Sequence, residues 1–242
     1  MQKEVKIKTK DKKVVYGTLD TVAKSKGLII FVHGLGGHKN EHIFFNAVKY
    51  FNNKNYDTFR VDLYSGEKGS RTFSQSTLTT HNQDVDAVVN KFKNQYKNIF
   101  LVGHSLGGLS IIKANLKPIK GLILWDSTYN LRKVIEDENA KFIKELNAYL
   151  VNWGMEILMG KEMVDEWIHF PSPKELAKNI TIPIKVICAG KGKLIKAGKE
   201  YYINAAGPKE FALIKNAGHN FNEPNTAEDL YKETYSFIKK FS

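Results

Sequence analysis

Residues 98–108 read NIFLVGHSLGG, and the rest of the chain is read outward from them. The first half is a short continuous apolar run, as expected of a strand covered on both faces. Gly103, His104, Ser105, Leu106 and Gly107 follow as G-x-S-x-G, and the next residues, SIIKANLK, carry a helical pattern. A serine at such a strand-to-helix turn sits in a strained backbone conformation that only small neighbours permit. Gly103 and Gly107 supply the clearance, and Ser105 is thrust out at the top of a sheet. The helix that follows points amide donors at the same spot, so the Leu106 N–H is placed to meet a developing oxyanion. The five letters alone are common; the strand before and the helix after make Ser105 a candidate nucleophile rather than a residue of a tight glycine turn.

Upstream, residues 28–37, LIIFVHGLGG, end an apolar run in a second glycine-rich loop. Its glycines let the loop fold close to Ser105, and the Leu35 N–H becomes the second oxyanion donor. His33 reads as a structural residue bonding that loop, and His104 as a packing neighbour of the serine. The general base is expected after the last strand. Residues 211–221, FALIKNAGHNF, supply it: an apolar run, a short turn and then His219, which can take the Ser105 proton and return it to a leaving group. His38, His42, His81 and His169 have no such setting and read as surface or loop residues. No HExxH or comparable cluster points to a metal, and no cofactor is implied.

The pattern around these motifs is that of an α/β protein. Two short β-rich stretches, residues 5–8 and 14–19, form an opening hairpin. Apolar runs at 28–32, 58–61, 99–102, 121–124, 184–188 and 211–214 then alternate with helix-like segments, predicting a mostly parallel eight-stranded sheet with helices on both faces. No linker or repeat divides the 242 residues, so one domain is expected. One connection, from Asp126 to Pro183, is unusually long. Within it Leu131, Val134, Ile135, Phe142, Ile143, Leu146, Tyr149, Leu150, Trp153, Ile157 and Leu158 recur at three- and four-residue spacing. That spacing predicts a helical cap, inserted after the sixth strand over about residues 128–180. Trp153, Leu158 and Trp167, with Met155 and Met159, are its candidate substrate-binding residues.

The net charge of +12 comes almost wholly from lysines spread along the chain, since arginine occurs only at 60, 71 and 132. Without a basic stripe interleaved with aromatics this excludes no solubility class but gives no nucleic-acid footprint. A charged N-terminus, no apolar stretch of membrane-spanning length and a single cysteine, Cys188, in a strand-like run lead to the expectation of a soluble cytoplasmic protein.

Together these stretches resemble the α/β-hydrolase superfamily over nearly the whole length: the hairpin, HGLGG, RVDLYSGEKGS, GHSLGG, the cap and NAGHNF. Within it the chain is similar to small capped bacterial carboxylesterases of the cinnamoyl-esterase and acyl-hydrolase type, where R-x-D-x-x-G-x-G-x-S follows the fourth strand. Arg60, Asp62, Gly66, Gly69 and Ser70 approximate that loop with altered spacing. The resemblance implies a third catalytic group, an acid, in a turn like HGxxDxxV after the next strand. Residues 189–195, AGKGKLI, occupy that place, with Gly190 on the glycine and Lys193 on the aspartate. A lysine cannot accept the His219 Nδ1–H, and its charge disfavours an imidazolium. Asp126, at the end of the sixth strand in GLILWDSTY, is the alternative acid, as in some lipases that the chain resembles here; Glu223 is a weaker one, and a turn-capping role for Asp126 is the plain reading.

The expectation is therefore a serine hydrolase that cleaves small-molecule esters or thioesters with apolar acyl groups, using Ser105, His219 and Asp126 with Leu35 and Leu106 at the oxyanion. The competing expectation is a non-catalytic protein of the same fold that binds a ligand beneath its cap; Lys193 is its support.

Overall fold

In a computed structural model, residues 1–130, 140–152 and 156–242 are described. The main sheet has eight strands: β1 (Gln2–Lys8), β2 (Val14–Asp20), β3 (Leu28–Val32), β4 (Asp57–Asp62), β5 (Ile99–His104), β6 (Gly121–Trp125), β10 (Ile184–Ala189) and β11 (Lys209–Ile214). Their order is β1-β2-β4-β3-β5-β6-β10-β11. The opening hairpin pairs antiparallel to itself and to β4, and every later pairing in this sheet is parallel.

The period-two geometry of a strand sorts the apolar runs onto two faces. Ile30, Val32, Leu101, Leu122, Leu124 and Val186 join one core with the helices α2 (Leu78–Phe92), α3 (Leu106–Ile112) and α6 (Ile195–Asn204). Ile29, Phe31, Phe100, Val102, Ile123 and Trp125 join the other, with α1 (His42–Asn52) and α7 (Thr226–Phe241). This is why the central strands are continuous apolar runs rather than alternating ones. Cys188 is buried in β10, with its thiol pushed up to about 12 by that burial.

The segment between β6 and β10 departs from the helical cap that its spacing predicts. Three strands, β7 (Ala140–Ile143), β8 (Ala148–Asn152) and β9 (Glu156–Gly160), form a separate antiparallel sheet, followed by helices α4 (Lys161–Ile168) and α5 (Pro173–Ala177). Val151 and Met159 sit in the core with Met163, Val164 and Trp167 of α4. The apolar residues come in runs of only three or four, Tyr149-Leu150-Val151 and Ile157-Leu158-Met159, and runs this short satisfy a helical and a strand template alike. Asn147, in a left-handed conformation (φ 45°), makes the corner between β7 and β8. Leu131, Val134, Ile135, Trp153 and Met155 lie outside the described residues. A second correction concerns His81: it is fully buried in α2, its basicity lowered to about 3 by that burial, whereas His38, His42 and His169 are exposed as expected.

Close packing at the end of β5 needs its glycines. A Cβ on Gly103 would meet the Gly107 carbonyl oxygen at 2.4 Å, and one on Gly107 would meet those of Val32 and His33 at 2.2 and 2.7 Å. These are backbone atoms that cannot swing aside. Gly107→Ala is therefore expected to cost about 1–3 kcal/mol, which in a chain of this size lowers Tm by roughly 2–12 °C. Calorimetry of the purified variant checks this; an unchanged Tm contradicts it.

Candidate active site

The turn after β5 holds Ser105 at φ 54°, ψ −118°, a region that non-glycine residues seldom occupy. The strain is held by bonds on both sides. The Ser105 N–H donates to the Trp125 carbonyl (3.0 Å), and its own carbonyl accepts from Gly108 N (3.0 Å) and Thr128 N (3.2 Å). α3 starts at Leu106, so the Leu106 N–H belongs to a first turn without intrahelical acceptors.

The loop after β3 packs directly on this turn: a Cβ on Gly34 would lie 3.0 Å from Ser105 Cβ. Leu35 is the next residue, followed by Gly36 at φ 69°. His33 bonds the loop in one defined tautomer. Its Nε2 accepts from Leu63 N (3.1 Å), so Nδ1 carries the hydrogen and donates to the Gly34 carbonyl (2.8 Å). Complete burial lowers its basicity and keeps it neutral. Arg60 and Asp62 hold the far side of the loop: Asp62 accepts from Lys39 N (2.7 Å) and Nζ (2.8 Å), and Arg60 Nη1 donates to Asn40 Oδ1 (2.9 Å).

His219 arrives on the loop after β11, and its Nδ1 lies 2.6 Å from Asp126 Oδ2. Asp126 is fully buried at the end of β6, at φ 42°. Its other oxygen accepts from Ala189 N (3.0 Å), and its own N–H donates to the Ile187 carbonyl (2.7 Å). The turn that carries Lys193 packs against the Asp126 carboxylate: a Cβ on Gly192 would come within 3.2 Å of Asp126 Oδ2. Lys193 itself is exposed. Glu223 points elsewhere, its carboxylate accepting from Gly218 N (2.9 Å) and steadying the histidine loop by its backbone.

His104 connects the two halves of the site. Its Nε2 donates to the His219 carbonyl (2.9 Å), and the two rings lie 4.8 Å apart. Burial, helped by the neighbouring His219, lowers its basicity to about 3, so it is a neutral tether. Ser105, His219, Asp126, Leu35 and Leu106, predicted from stretches scattered over most of the chain, are therefore brought together. Trp167 is buried, and its indole N–H donates to the Tyr129 carbonyl (2.7 Å), tying α4 to the loop that leaves Asp126. Leu158 is 37% exposed, pairs with Leu150 and alternates outward from buried Met159.

One residue had no signal in the sequence. Glu41, at the start of α1, has its carboxyl against Gly37, and burial raises its pKa to about 7 against the opposing influence of His219. Among the described residues no cluster of side chains is arranged to hold a metal, and no helix is long and apolar enough to cross a membrane.

Comparison with known proteins agrees with this architecture. A family model described as "Serine aminopeptidase, S33" (Hydrolase_4) matches residues 23–169. The chain is 37% identical over 159 residues to protein phosphatase methylesterase 1 of Candida albicans, a match covering 58% of this chain. It spans only 42% of that relative's length. Among solved structures, Est1E of Butyrivibrio proteoclasticus with bound ferulic acid superposes with a TM-score of 0.83 at 20% identity, covering 98% of each chain. The esterase EaEST of Exiguobacterium antarcticum gives 0.72 at 17% identity over 98% of this chain and 100% of that one. Mouse alpha/beta hydrolase domain-containing protein 10 gives 0.76 at 18% identity over 99% and 100%. With more than half of its length matched by the family model and its fold shared with these structures, the chain belongs to the serine aminopeptidase S33 (Hydrolase_4) family of α/β-hydrolases.

Proposed function

We propose that the protein is a serine carboxylesterase acting on small-molecule esters or thioesters through an acyl-enzyme. His219 Nε2 removes the Ser105 hydroxyl proton as Oγ adds to the substrate carbonyl carbon. The carbonyl π pair moves onto oxygen, where the Leu35 and Leu106 N–H groups stabilise the charge. The tetrahedral species collapses, the carbon–oxygen bond to the alkoxy group breaks, and His219 returns the proton to the departing alcohol. Water, deprotonated by the same imidazole, then adds to the acyl-enzyme and releases the carboxylic acid and free Ser105. Asp126 accepts the His219 Nδ1–H throughout, fixing the tautomer and favouring the transient imidazolium.

The observation that carries this reading is the 2.6 Å pairing of a fully buried carboxylate with His219, docked through His104 beside the strained Ser105. Relatives named a methylesterase and esterases support an ester as the substrate class. Labelling by a fluorophosphonate probe tests it: a poised serine reacts, and an idle one in a purely ligand-binding protein does not.

In this proposal the acyl group lies beneath the cap, a layer made apolar by the core residues Met159, Met163 and Trp167 packed within it. With p-nitrophenyl esters, kcat/KM is expected to rise from acetyl to butyryl and to fall for a succinyl ester, whose free carboxylate would be buried among apolar groups. Indifference to chain length and charge contradicts an apolar acyl pocket.

A further inference from the structure

The chain leaves β6 as a short strap, residues 126–129, that runs past the nucleophile, and each residue of it is tied to a different part of the site. Asp126 holds His219. Ser127 packs on the helix after Ser105, where a Cβ on Gly108 would meet its Oγ at 2.0 Å. The Thr128 N–H donates to the Ser105 carbonyl (3.2 Å), and Trp167 of the cap bonds the Tyr129 carbonyl (2.7 Å). Asp126 and Ser105 both stand at positive φ, 42° and 54°, so the strap joins two residues whose backbones must be held in place.

A further bond reaches the strap from α6. Ala197, Gly198 and Tyr201 are the buried residues of that helix, spaced as one face. Gly198 lets the helix lie close on β10, since a Cβ there would meet Cys188 Sγ at 2.1 Å. One turn on, the fully buried Tyr201 donates its hydroxyl hydrogen to the Thr128 carbonyl (2.9 Å). Burial raises this hydroxyl well above its ordinary pKa, so it keeps its hydrogen near neutral pH. That donor decides where the hydrogen of Ser127 goes. Ser127 Oγ lies 3.4 Å from two carbonyl oxygens, those of Ser105 and Thr128, and has one hydrogen for both. With the Thr128 carbonyl engaged by Tyr201, the Ser127 hydrogen is left for the Ser105 carbonyl. Without Tyr201 the two carbonyls compete for it, and Ser105 loses part of what holds its strained turn.

We propose that Tyr201 is a positioning residue for the reaction: by engaging the Thr128 carbonyl it locks the strap between Asp126 and the cap, and so holds Ser105 where His219 and the oxyanion donors can act on it. The inference rests on the esterase reading of Ser105 and names a residue outside the triad on which it depends. A nucleophile displaced by about 1 Å loses on the order of 10²-fold in rate, so even a partial loosening of the strap is felt in kcat.

Tyr201→Phe keeps the buried ring and removes only the hydroxyl. With rates expressed per serine labelled by a fluorophosphonate at completion, so that unfolded protein does not count, this variant is expected to lower kcat for p-nitrophenyl butyrate about tenfold, with KM changed by less than about twofold. Tyr96→Phe is the matched control. It removes a tyrosine hydroxyl that bonds Asp57 Oδ2 (2.6 Å) at the start of β4, away from the strap, and is expected to leave kcat as it is. A second readout needs no turnover. Hydrogen exchange of the Thr128 amide, which bonds the Ser105 carbonyl, is expected to quicken about tenfold in Tyr201→Phe, while the β5 amides exchange as in the wild type. A kcat per labelled serine equal to that of the wild type overturns the proposal, as does an equal fall in Tyr96→Phe, which makes the effect one of general stability. A quickened Thr128 amide in Tyr201→Phe, found alongside a wild-type protein that neither takes the probe nor turns over the ester, upholds Tyr201 as the residue that holds Ser105 and defeats the esterase reading instead.

Discussion

Ser105→Ala is expected to lower kcat/KM for short-chain p-nitrophenyl esters by on the order of 10⁴-fold or more while leaving Tm nearly unchanged. The variant removes only Oγ. The bonds that hold the turn in its strained conformation are made by the Ser105 backbone, and the side chain does not cap α3. Alanine at φ 54° is no more strained than serine, so the turn has no reason to relax. A second hydroxyl does lie nearby, on Ser127, but that residue is 2% exposed and its Oγ points at the Ser105 carbonyl (3.4 Å). It has no route to a substrate. Esterase activity that survives in pure Ser105→Ala protein removes Ser105 from the mechanism, and loss of activity with a collapsed Tm leaves the comparison to be made against Gly107→Ala, whose defect is steric.

The other large effect is expected at Asp126. Its two oxygens face two hydrogen-bond donors, Ala189 N–H at 3.0 Å and the His219 Nδ1 position at 2.6 Å, and only a carboxylate can accept from both. Asparagine has one oxygen to offer. If its amide NH₂ turns to His219, Nδ1 must accept, the hydrogen moves to Nε2, and the imidazole can no longer take a proton from Ser105. If it turns to Ala189 instead, two donors meet in a buried site. Asp126→Asn is therefore expected to cut kcat by roughly 10²- to 10⁴-fold. Lys193 is exposed and belongs to the turn that shelters Asp126, so Lys193→Ala should change kcat/KM by less than about twofold. Steady-state kinetics of the three proteins on one ester decides between this assignment and an enzyme without an acid. A silent Asp126→Asn, joined by a gain in Lys193→Asp, overturns it.

The strand-to-helix turn at Ser105, the glycine loop at residues 33–37 and the histidine after β11 were all legible from residues next to one another in the chain. Their physics is local: a turn needs its glycines within two residues of the serine, and a buried strand needs its apolar run unbroken. The succession of such runs also determined the class of fold, because strands covered on both faces cannot alternate with polar residues. What the tertiary structure decided depends on pairings between distant segments. Asp126 and His219 are 93 residues apart, and the reason one carboxylate rather than another meets the imidazole is that β6 lies next to β10 and β11 follows it in the sheet. The cap became a sheet because Tyr149, Leu150 and Val151 find partners in β7 and β9; before those partners exist, the run suits a helix equally well. His81 is buried although its sequence setting suggests a surface or loop residue, since helical position alone does not say which face meets the core until α3 packs on α2. Glu41 carries no signal in the sequence for the same reason. A glutamate before a helix is ordinary in sequence, and only the arrival of the His219 loop from the far end of the chain encloses its carboxyl beside His104.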